Sequence, residues 1–220
     1  MTVLGTVAAV AAFNLPWLLP DADAPAAAPG MIAALITAGF VGLAIRKSRP
    51  NALNDLAVTL LGALYVGLMG GYLVQAHVLA GGRLVFYIVA VAKMADIGGY
   101  LTGKFLGRHK LAPGISPNKT IEGSLGGLAL SIAVAVGFAF VLLPLETTLA
   151  WQILFAVVVN AASQFGDLAE SMIKRSCEVK DSAVFLPRVC GALDLIDSVL
   201  ISAPVGYYLY FAAKAAQVST

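Results

Sequence analysis

Long apolar segments constrain this chain more than any other feature of its sequence. A helix needs about 20 residues to cross the hydrocarbon core of a bilayer, and seven segments approach that length. Hydrophobic residues make up 60% of the 220 residues and charged residues only 12%, whereas soluble domains carry about 25% charged residues. The sequence therefore predicts an all-α integral membrane protein, a bundle of seven transmembrane helices.

Polar or Pro- and Gly-rich stretches separate the predicted spans. The spans cover approximately Val3–Leu19, Met31–Ile45, Leu53–Gln75, Leu84–Thr102, Ser124–Leu143, Leu149–Phe165 and Ala192–Phe211. No Lys or Arg precedes Arg46, so the first run lacks the charged start of a signal peptide and is predicted to be a membrane helix. We expect one membrane domain over residues 1–220, in which residues 1–83 serve as scaffold and contact lipid.

Basic residues fall on one side of these spans. Eleven of the 14 Lys and Arg residues follow the second, fourth or sixth span. Because positively charged loops stay in the cytoplasm, this bias predicts an inside N-terminus and an outside C-terminus. The expected location is the bacterial inner membrane, with the site facing the cytoplasm. The polar loops 104–123 and 171–191 then share the cytoplasmic side and are able to build one site. Cys177 and Cys190, both in the second loop, are expected to be free thiols in that reducing compartment.

The second loop gathers positive charge and leads to two carboxylates at the start of the last span. Its basic residues are Lys174, Arg175, Lys180 and Arg188. Asp194 and Asp197 are three residues apart, which puts them on one face of a helix. Carboxylates at the mouth of an apolar helix are costly unless a cation or water reaches them. This pattern predicts a metal-assisted phosphate site at the membrane surface.

The fourth predicted span contains a lysine and an aspartate. Lys93 and Asp96 lie at i and i+3 on its helix. Ionisable residues inside a membrane usually line a water-filled cavity or a substrate path, although a neutralised pair packed in the bundle would show the same spacing. Gly98 and Gly99 would let another backbone or a ligand come close.

The first loop is predicted to be an ordered turn rather than a helix, because it is rich in Pro and Gly. Ser116, Asn118, Lys119 and Thr120 are donors of the kind that hold phosphate oxygens. The segment does not have the spacing of a P-loop, and a positive-inside anchor would explain its charges but not the order of these residues. His109 is interpreted as a loop histidine rather than a metal ligand.

The sixth predicted span ends in Asp167, Glu170 and Lys174. Asp167 and Glu170 share a helix face, and Lys174 follows one turn after Glu170. An ordinary Glu–Lys pair at a helix end would explain Glu170. Asp167, behind Gly166 at the membrane boundary, is the better candidate for a functional residue.

Seven short blocks occur in the order and spacing of one known family. The blocks are Asp96–Tyr100, His109–Pro113, Ser116–Gly123, Gly166–Asp167, Ser171–Arg175, Lys180–Ser182 and Asp194–Ser198. Together they resemble the phosphatidate cytidylyltransferase (CDP-diacylglycerol synthase) family over about residues 90–200. The N-terminal third is similar only in being hydrophobic, and it is shorter than is typical.

The resemblance implies transfer of a cytidylyl group from CTP to phosphatidate, which gives CDP-diacylglycerol and pyrophosphate, with residues 84–213 as the catalytic half. It implies Mg²⁺, alone or with a second metal ion, held by Asp167, Asp194 and Asp197. The implied catalytic residues are Asp194, Asp197 and Lys174. The implied substrate-binding residues are Ser116, Lys119, Arg175, Lys180, Asp181 and Asp96. CTP, phosphatidate or a similar lipid phosphate, and membrane lipids are the expected partners, with no nucleic acid; a homodimer is compatible with this interpretation.

Two positions depart from the family pattern. Val189 and Leu195 stand where the family has a His and an Arg, and Arg188 is a displaced source of positive charge. A relative that binds lipid phosphate or nucleotide without catalysis, or that uses another lipid, is therefore a second interpretation. A small transporter is a third, based on the charged pair in the fourth span, and the lack of an evident inverted repeat argues against it.

Overall fold

The structure, a computed structural model, describes residues 32–34, 36–41, 51–143, 147–176 and 192–218. Helices dominate these residues, and a two-stranded hairpin interrupts them. The elements are α1 (Ala52–Gly62), a π-helical segment (Ala63–Leu68), α2 (Met69–Ala80), α3 (Gly82–Leu106), β1 (Lys110–Ala112), β2 (Ser116–Thr120), α4 (Ile121–Leu142), α5 (Leu149–Ser176) and α6 (Ala192–Val218).

Five helices are long and apolar enough to cross a membrane. They are Ala52–Ala80, Gly82–Leu106, Ile121–Leu142, Leu149–Ser176 and Ile196–Gln217. This finding confirms the predicted class, an all-α membrane protein, and matches the last five predicted spans. The first predicted span lies outside the described residues, and the second is described only at residues 32–34 and 36–41, which are helical. The count of seven therefore stays a prediction.

The chain divides into two compact units, Met1–Val78 and Leu79–Thr220. In the second unit, α3 contacts α4, α5 and α6. Its residues Tyr87, Ile88, Val91 and Ala92 are fully buried, and their spacing marks one apolar helix face. The Tyr87 hydroxyl donates to the carbonyl oxygen of Ala135 at 3.0 Å, so the largest side chain of this face also satisfies its polar atom.

Glycines bring the backbones of α3 and α4 together beside the charged residues. A Cβ atom on Gly127 would lie 2.5 Å from the carbonyl oxygen of Ala95, and one on Gly98 would lie 2.8 Å from that of Gly126. Real Cβ atoms do not come that close to backbone, so only glycine fits at either position. The close approach expected at Gly98 is thus made by a neighbouring helix.

Helix α5 extends beyond the predicted membrane span, which ends at Phe165, to Ser176. The span was ended where apolar character ends, and the helical spacing predicted for Asp167, Glu170 and Lys174 is confirmed beyond it. Glu170 and Lys174 form an i,i+4 ion pair at 2.6 Å, which supports the added turns. Lys174 and its acidic neighbours therefore stand on a rigid helix rather than in a loop.

The first polar loop folds into an antiparallel hairpin, which confirms the predicted ordered turn. Lys110 pairs with Thr120 and Ala112 with Ser116, with a register irregularity between the two pairs. Thr120 also caps α4, because its hydroxyl oxygen accepts from the backbone N–H of Gly123 at 3.1 Å. The hairpin and the start of α4 are consequently held as one piece.

Candidate active site

A cavity of about 310 Å³ lies where the hairpin meets α3, α4 and α5. Its polar lining comes from all four elements. These polar residues are Asp96, Tyr100, Ser116, Asn118, Lys119, Thr120, Ser124, Gln164 and Asp167. Four residues predicted from sequence, Asp96, Ser116, Lys119 and Asp167, are thus brought together around one space.

An ion pair between the hairpin and α5 forms one wall of the cavity. The ammonium group of Lys119 lies 3.0 Å from Asp167 Oδ2 and 3.4 Å from the carbonyl oxygen of Gln164. About a quarter of each charged side chain is exposed, 24% for Lys119 and 25% for Asp167. Both groups are therefore fixed by each other and still open to a ligand in the cavity.

Asp96 is held by donors from three helices. Its Oδ2 atom lies 3.0 Å from Lys93 Nζ and accepts from the Ser198 hydroxyl at 2.8 Å. Its Oδ1 atom lies 3.2 Å from the Ser163 hydroxyl. Lys93 also donates to Ser198 Oγ at 2.7 Å. These contacts join α3, α5 and α6 at one point beside the cavity.

Asp197 lies next to this point, at the start of α6. It is buried, and its Oδ1 atom accepts from the backbone N–H of Ser198 at 2.7 Å. The hydroxyl group of the same Ser198 contacts both Lys93 and Asp96. Gly166 lets α5 lie close to the start of α6, because a Cβ atom at Gly166 would lie 2.6 Å from the Asp197 carbonyl oxygen.

We call Lys93, Asp96, Lys119, Asp167 and Asp197 the cavity cluster. It contains three carboxylates and two ammonium groups from α3, the hairpin, α5 and α6. Charges inside a membrane protein are stable only when paired or hydrated. Asp96, Lys119 and Asp167 line the cavity, whereas Lys93 and Asp197 lie beside it and contact Ser198.

A second group of charges lies where α5 ends and α6 begins. Lys174 Nζ lies 2.6 Å from Glu170 Oε2 and 3.0 Å from Asp194 Oδ1. Glu170 is only 2% exposed and Asp194 13%. We call these three residues the Lys174 cluster. Asp194 and Asp197 share helix α6, but their side chains belong to different clusters.

The remaining predicted residues are placed less fully. Arg175 is exposed on the last turn of α5. Lys180 and Asp181 lie outside the described residues. So do Cys177, Cys190, Arg188 and Val189. The side chain of Leu195 is likewise not described, so the departures from the family pattern stay sequence observations.

The chemistry of the donor set fits a divalent cation. The two clusters together hold five carboxylates and three lysines, and carboxylate oxygens are the ligands that Mg²⁺ prefers. Glu170 Oε1 is buried and accepts no hydrogen bond from the part of the chain that the structure describes. Within residues 51–143, 147–176 and 192–218, no three His, Cys, Asp or Glu side chains form a complete metal site. The trio Asp167, Asp194 and Asp197 therefore stays a prediction.

Several residues at the site were not singled out from the sequence. Glu122 accepts from the backbone N–H groups of Arg108 and His109 at 3.1 and 3.2 Å and lies 2.6 Å from the His109 ring. Gln164 joins Ser124 to Asn160 across α4 and α5. An acidic residue in the first turn after a Thr cap is a recognisable signal, whereas the Gln164 contacts depend on helix packing.

The sequence is similar to proteins of one known family. The sequence matches the cytidylyltransferase family over residues 2–213. The phosphatidate cytidylyltransferase of Bacillus subtilis is 37% identical over 158 residues, which are 71% of this chain and 58% of the relative. That of Staphylococcus haemolyticus is 35% identical over 78% of this chain and 66% of the relative. That of Staphylococcus aureus is 33% identical over 93% and 78%. The chain spans less than two thirds of the length of the first two relatives.

Proposed function

Because this chain belongs to the cytidylyltransferase family, we propose that it transfers the cytidylyl group of CTP to the phosphate of phosphatidate. The reaction joins an oxygen of the lipid phosphate to the α-phosphorus of CTP. It breaks the bond from that phosphorus to the oxygen that bridges to the β-phosphorus, and pyrophosphate leaves. The attacking phosphate is already ionised, so the reaction requires no protein nucleophile and no general base.

One observation supports this reaction above the others: groups suited to phosphate and groups suited to a cation line the same cavity. Lys119 and Ser116 bring donors from the hairpin, and Asp96 and Asp167 bring carboxylates from α3 and α5. A transfer between two phosphate compounds requires both, since two anions must approach and a third must leave. A site for simple lipid contact would not need paired charges of this kind.

The described residues would bind phosphate, neutralise negative charge and hold the cation. Lys119, with Ser116 and Asn118 on the same hairpin, would bind phosphate oxygens in the cavity. Lys174 would neutralise negative charge while Glu170 holds its ammonium group in place. Asp167, Asp194 and Asp197 would hold Mg²⁺, which when bound supplies charge neutralisation for the pyrophosphate leaving group.

The proposed location follows from the charge distribution. The cavity opens beside the hairpin that carries Lys110 and Lys119, and basic loops stay on the cytoplasmic side. We therefore place the site at the cytoplasmic face of a bacterial inner membrane, where CTP is available. Phosphatidate would reach it from the surrounding leaflet.

The test is pyrophosphate release by the purified protein in detergent, with CTP, Mg²⁺ and phosphatidate. Diacylglycerol, which has the same chains but no phosphate, is the matched control lipid. We expect release only with phosphatidate, and at least a hundredfold less from Asp167→Asn. Equal release with diacylglycerol, or release without lipid, would contradict the proposed acceptor. No release from protein that still binds CTP would favour a non-catalytic relative.

A further inference from the structure

Lys93 has no part in the mechanism above, although it is a lysine within a membrane-spanning helix. Its side chain is 32% exposed, and it does not line the cavity. Asp96, one turn further along α3, does line it. Any effect of Lys93 on a ligand must therefore pass through Asp96 or through the field of its charge.

The surroundings of Asp96 show how that effect is transmitted. Lys93 and Ser198 both lie within 3.0 Å of its Oδ2 atom, and Ser163 approaches the other oxygen at 3.2 Å. A carboxylate with this many donors is neutralised and fixed in direction. Asp96 is thus less available than Asp167 as a ligand for a cation.

Lys93 changes the formal charge of the cavity cluster. Three carboxylates and two ammonium groups leave a formal charge of −1, which one divalent cation converts to +1. Without Lys93 the charge would be −2, and the same cation would only neutralise it. Both proposed substrates are anions that have to enter a site of low dielectric constant, where the sign of the charge is decisive.

We propose that Lys93 is a positioning residue and the resident counter-ion of the cavity cluster. Through Asp96 it sets the charge so that one divalent cation leaves the site positive towards the phosphates of both substrates. The inference rests on the proposed function, because that function supplies the anions. It differs from a purely structural ion pair, whose loss would weaken every binding step alike.

The test uses Mn²⁺ alone as the probe, measured by electron paramagnetic resonance on purified protein in detergent without nucleotide. Lys93→Met should bind Mn²⁺ roughly tenfold more tightly than the parent, because an ammonium that repels the cation is gone. Lys93→Arg, the matched control, keeps the charge and should bind as the parent does. The double variant Lys93→Met/Asp96→Asn removes both charges of the pair and should return to parent affinity.

One further variant, Asp96→Asn, keeps the proposal testable if Lys93→Met does not fold. Adding Lys93→Met to Asp96→Asn removes the same ammonium without leaving a carboxylate unpaired, and should tighten Mn²⁺ binding relative to Asp96→Asn alone. Unchanged or weaker binding on loss of Lys93, in either background, would overturn the proposal. So would a double variant that binds Mn²⁺ more weakly than the parent, since Asp96 would then itself be a ligand, and so would the absence of Mn²⁺ binding by the parent.

CTP binding at saturating Mn²⁺ gives the second readout. Lys93→Met should bind CTP roughly tenfold more weakly than the parent while binding the cation more tightly. A structural defect would lower both affinities together and would overturn the proposal. Neither measurement needs turnover, so failure of the parent to transfer cytidylyl groups would count against the proposed function and not against the charge effect of Lys93.

Discussion

The cavity cluster and the Lys174 cluster both contain one more carboxylate than lysine. They differ in how the lysines pair with these carboxylates. In the cavity cluster Lys93 and Lys119 each pair with a separate aspartate, and Asp96 and Asp167 are 28% and 25% exposed. In the Lys174 cluster one lysine serves two carboxylates, of which Glu170 is almost completely buried. The carboxylates of the cavity cluster are therefore accessible to a ligand. The two carboxylates of the Lys174 cluster depend on Lys174 to compensate their negative charge.

Loss of Lys174 should have the largest effect. Lys174→Met leaves Glu170 and Asp194 buried without their shared cation, and breaking a buried pair costs about 3–5 kcal/mol of stability. We expect lower thermal stability in detergent together with at least a hundredfold loss of cytidylyl transfer. The variant Lys174→Met/Glu170→Gln removes one buried charge and should recover part of the stability but not the activity. Full stability in Lys174→Met would contradict the difference drawn between the clusters.

Loss of Lys119 should act on the substrate more than on the fold. Lys119→Met removes a half-buried ion pair at the cavity, and such pairs contribute about 1 kcal/mol or less when water reaches them. Thermal stability should therefore change little, while KM for CTP rises about tenfold because a phosphate donor is lost. Lys119→Arg is the control that keeps the charge. If Lys119→Met lost as much stability as Lys174→Met, the proposed difference between the two clusters would be wrong.

Ser198 should show a smaller effect, limited to the link between α3 and α6. Ser198→Ala removes a hydroxyl that contacts both Lys93 and Asp96, at a cost of about 1 kcal/mol. Turnover should fall several-fold as Asp96 loses one donor. Ser202→Ala is the matched control, since that buried hydroxyl lies one turn further along α6 and bonds only backbone carbonyls. Equal loss of turnover in both variants would contradict a specific role for the link.

His109 should have the smallest effect. Its ring contacts Glu122 at 2.6 Å, but its side chain is 74% exposed, and exposed pairs contribute little. His109→Ala should change KM and turnover less than about threefold, because Glu122 still accepts from two backbone N–H groups. Glu122→Gln tests the same contact by changing the carboxylate instead of the ring. A large loss in His109→Ala alone would show that the ring contacts a substrate.

The membrane helices and the local charge pairs could be read from the sequence, because both depend on neighbours in the chain. The Lys93–Asp96 and Glu170–Lys174 spacings predicted pairs that the structure contains. The partners across helices could not be predicted in this way. Lys119 contacts Asp167 and Lys93 contacts Ser198 across elements that are far apart in the chain. Asp194 contacts Lys174 while Asp197 accepts from the backbone N–H of Ser198, and their shared helix face did not reveal these different partners.

The last turns of α5 lie beyond the predicted membrane span. Apolar character ends near Phe165, and this marks where lipid contact ends rather than where the helix ends. The polar turns that follow carry Asp167, Glu170 and Lys174 on one rigid element. A helix can therefore continue after its contact with lipid ends. The site residues of α5 lie on these helical turns beyond the apolar segment.

If the carboxylates beside the cavity support cytidylyl transfer, replacing one of them should stop the transfer without unfolding the protein. The most direct measurement follows label from CTP carrying a radioactive α-phosphorus into the lipid extract, for the parent and for Asp197→Asn, with CTP binding measured on both. We expect labelled CDP-diacylglycerol from the parent and at least a hundredfold less from Asp197→Asn, which should still fold and bind CTP. Equal labelling by the two proteins would contradict the proposed site.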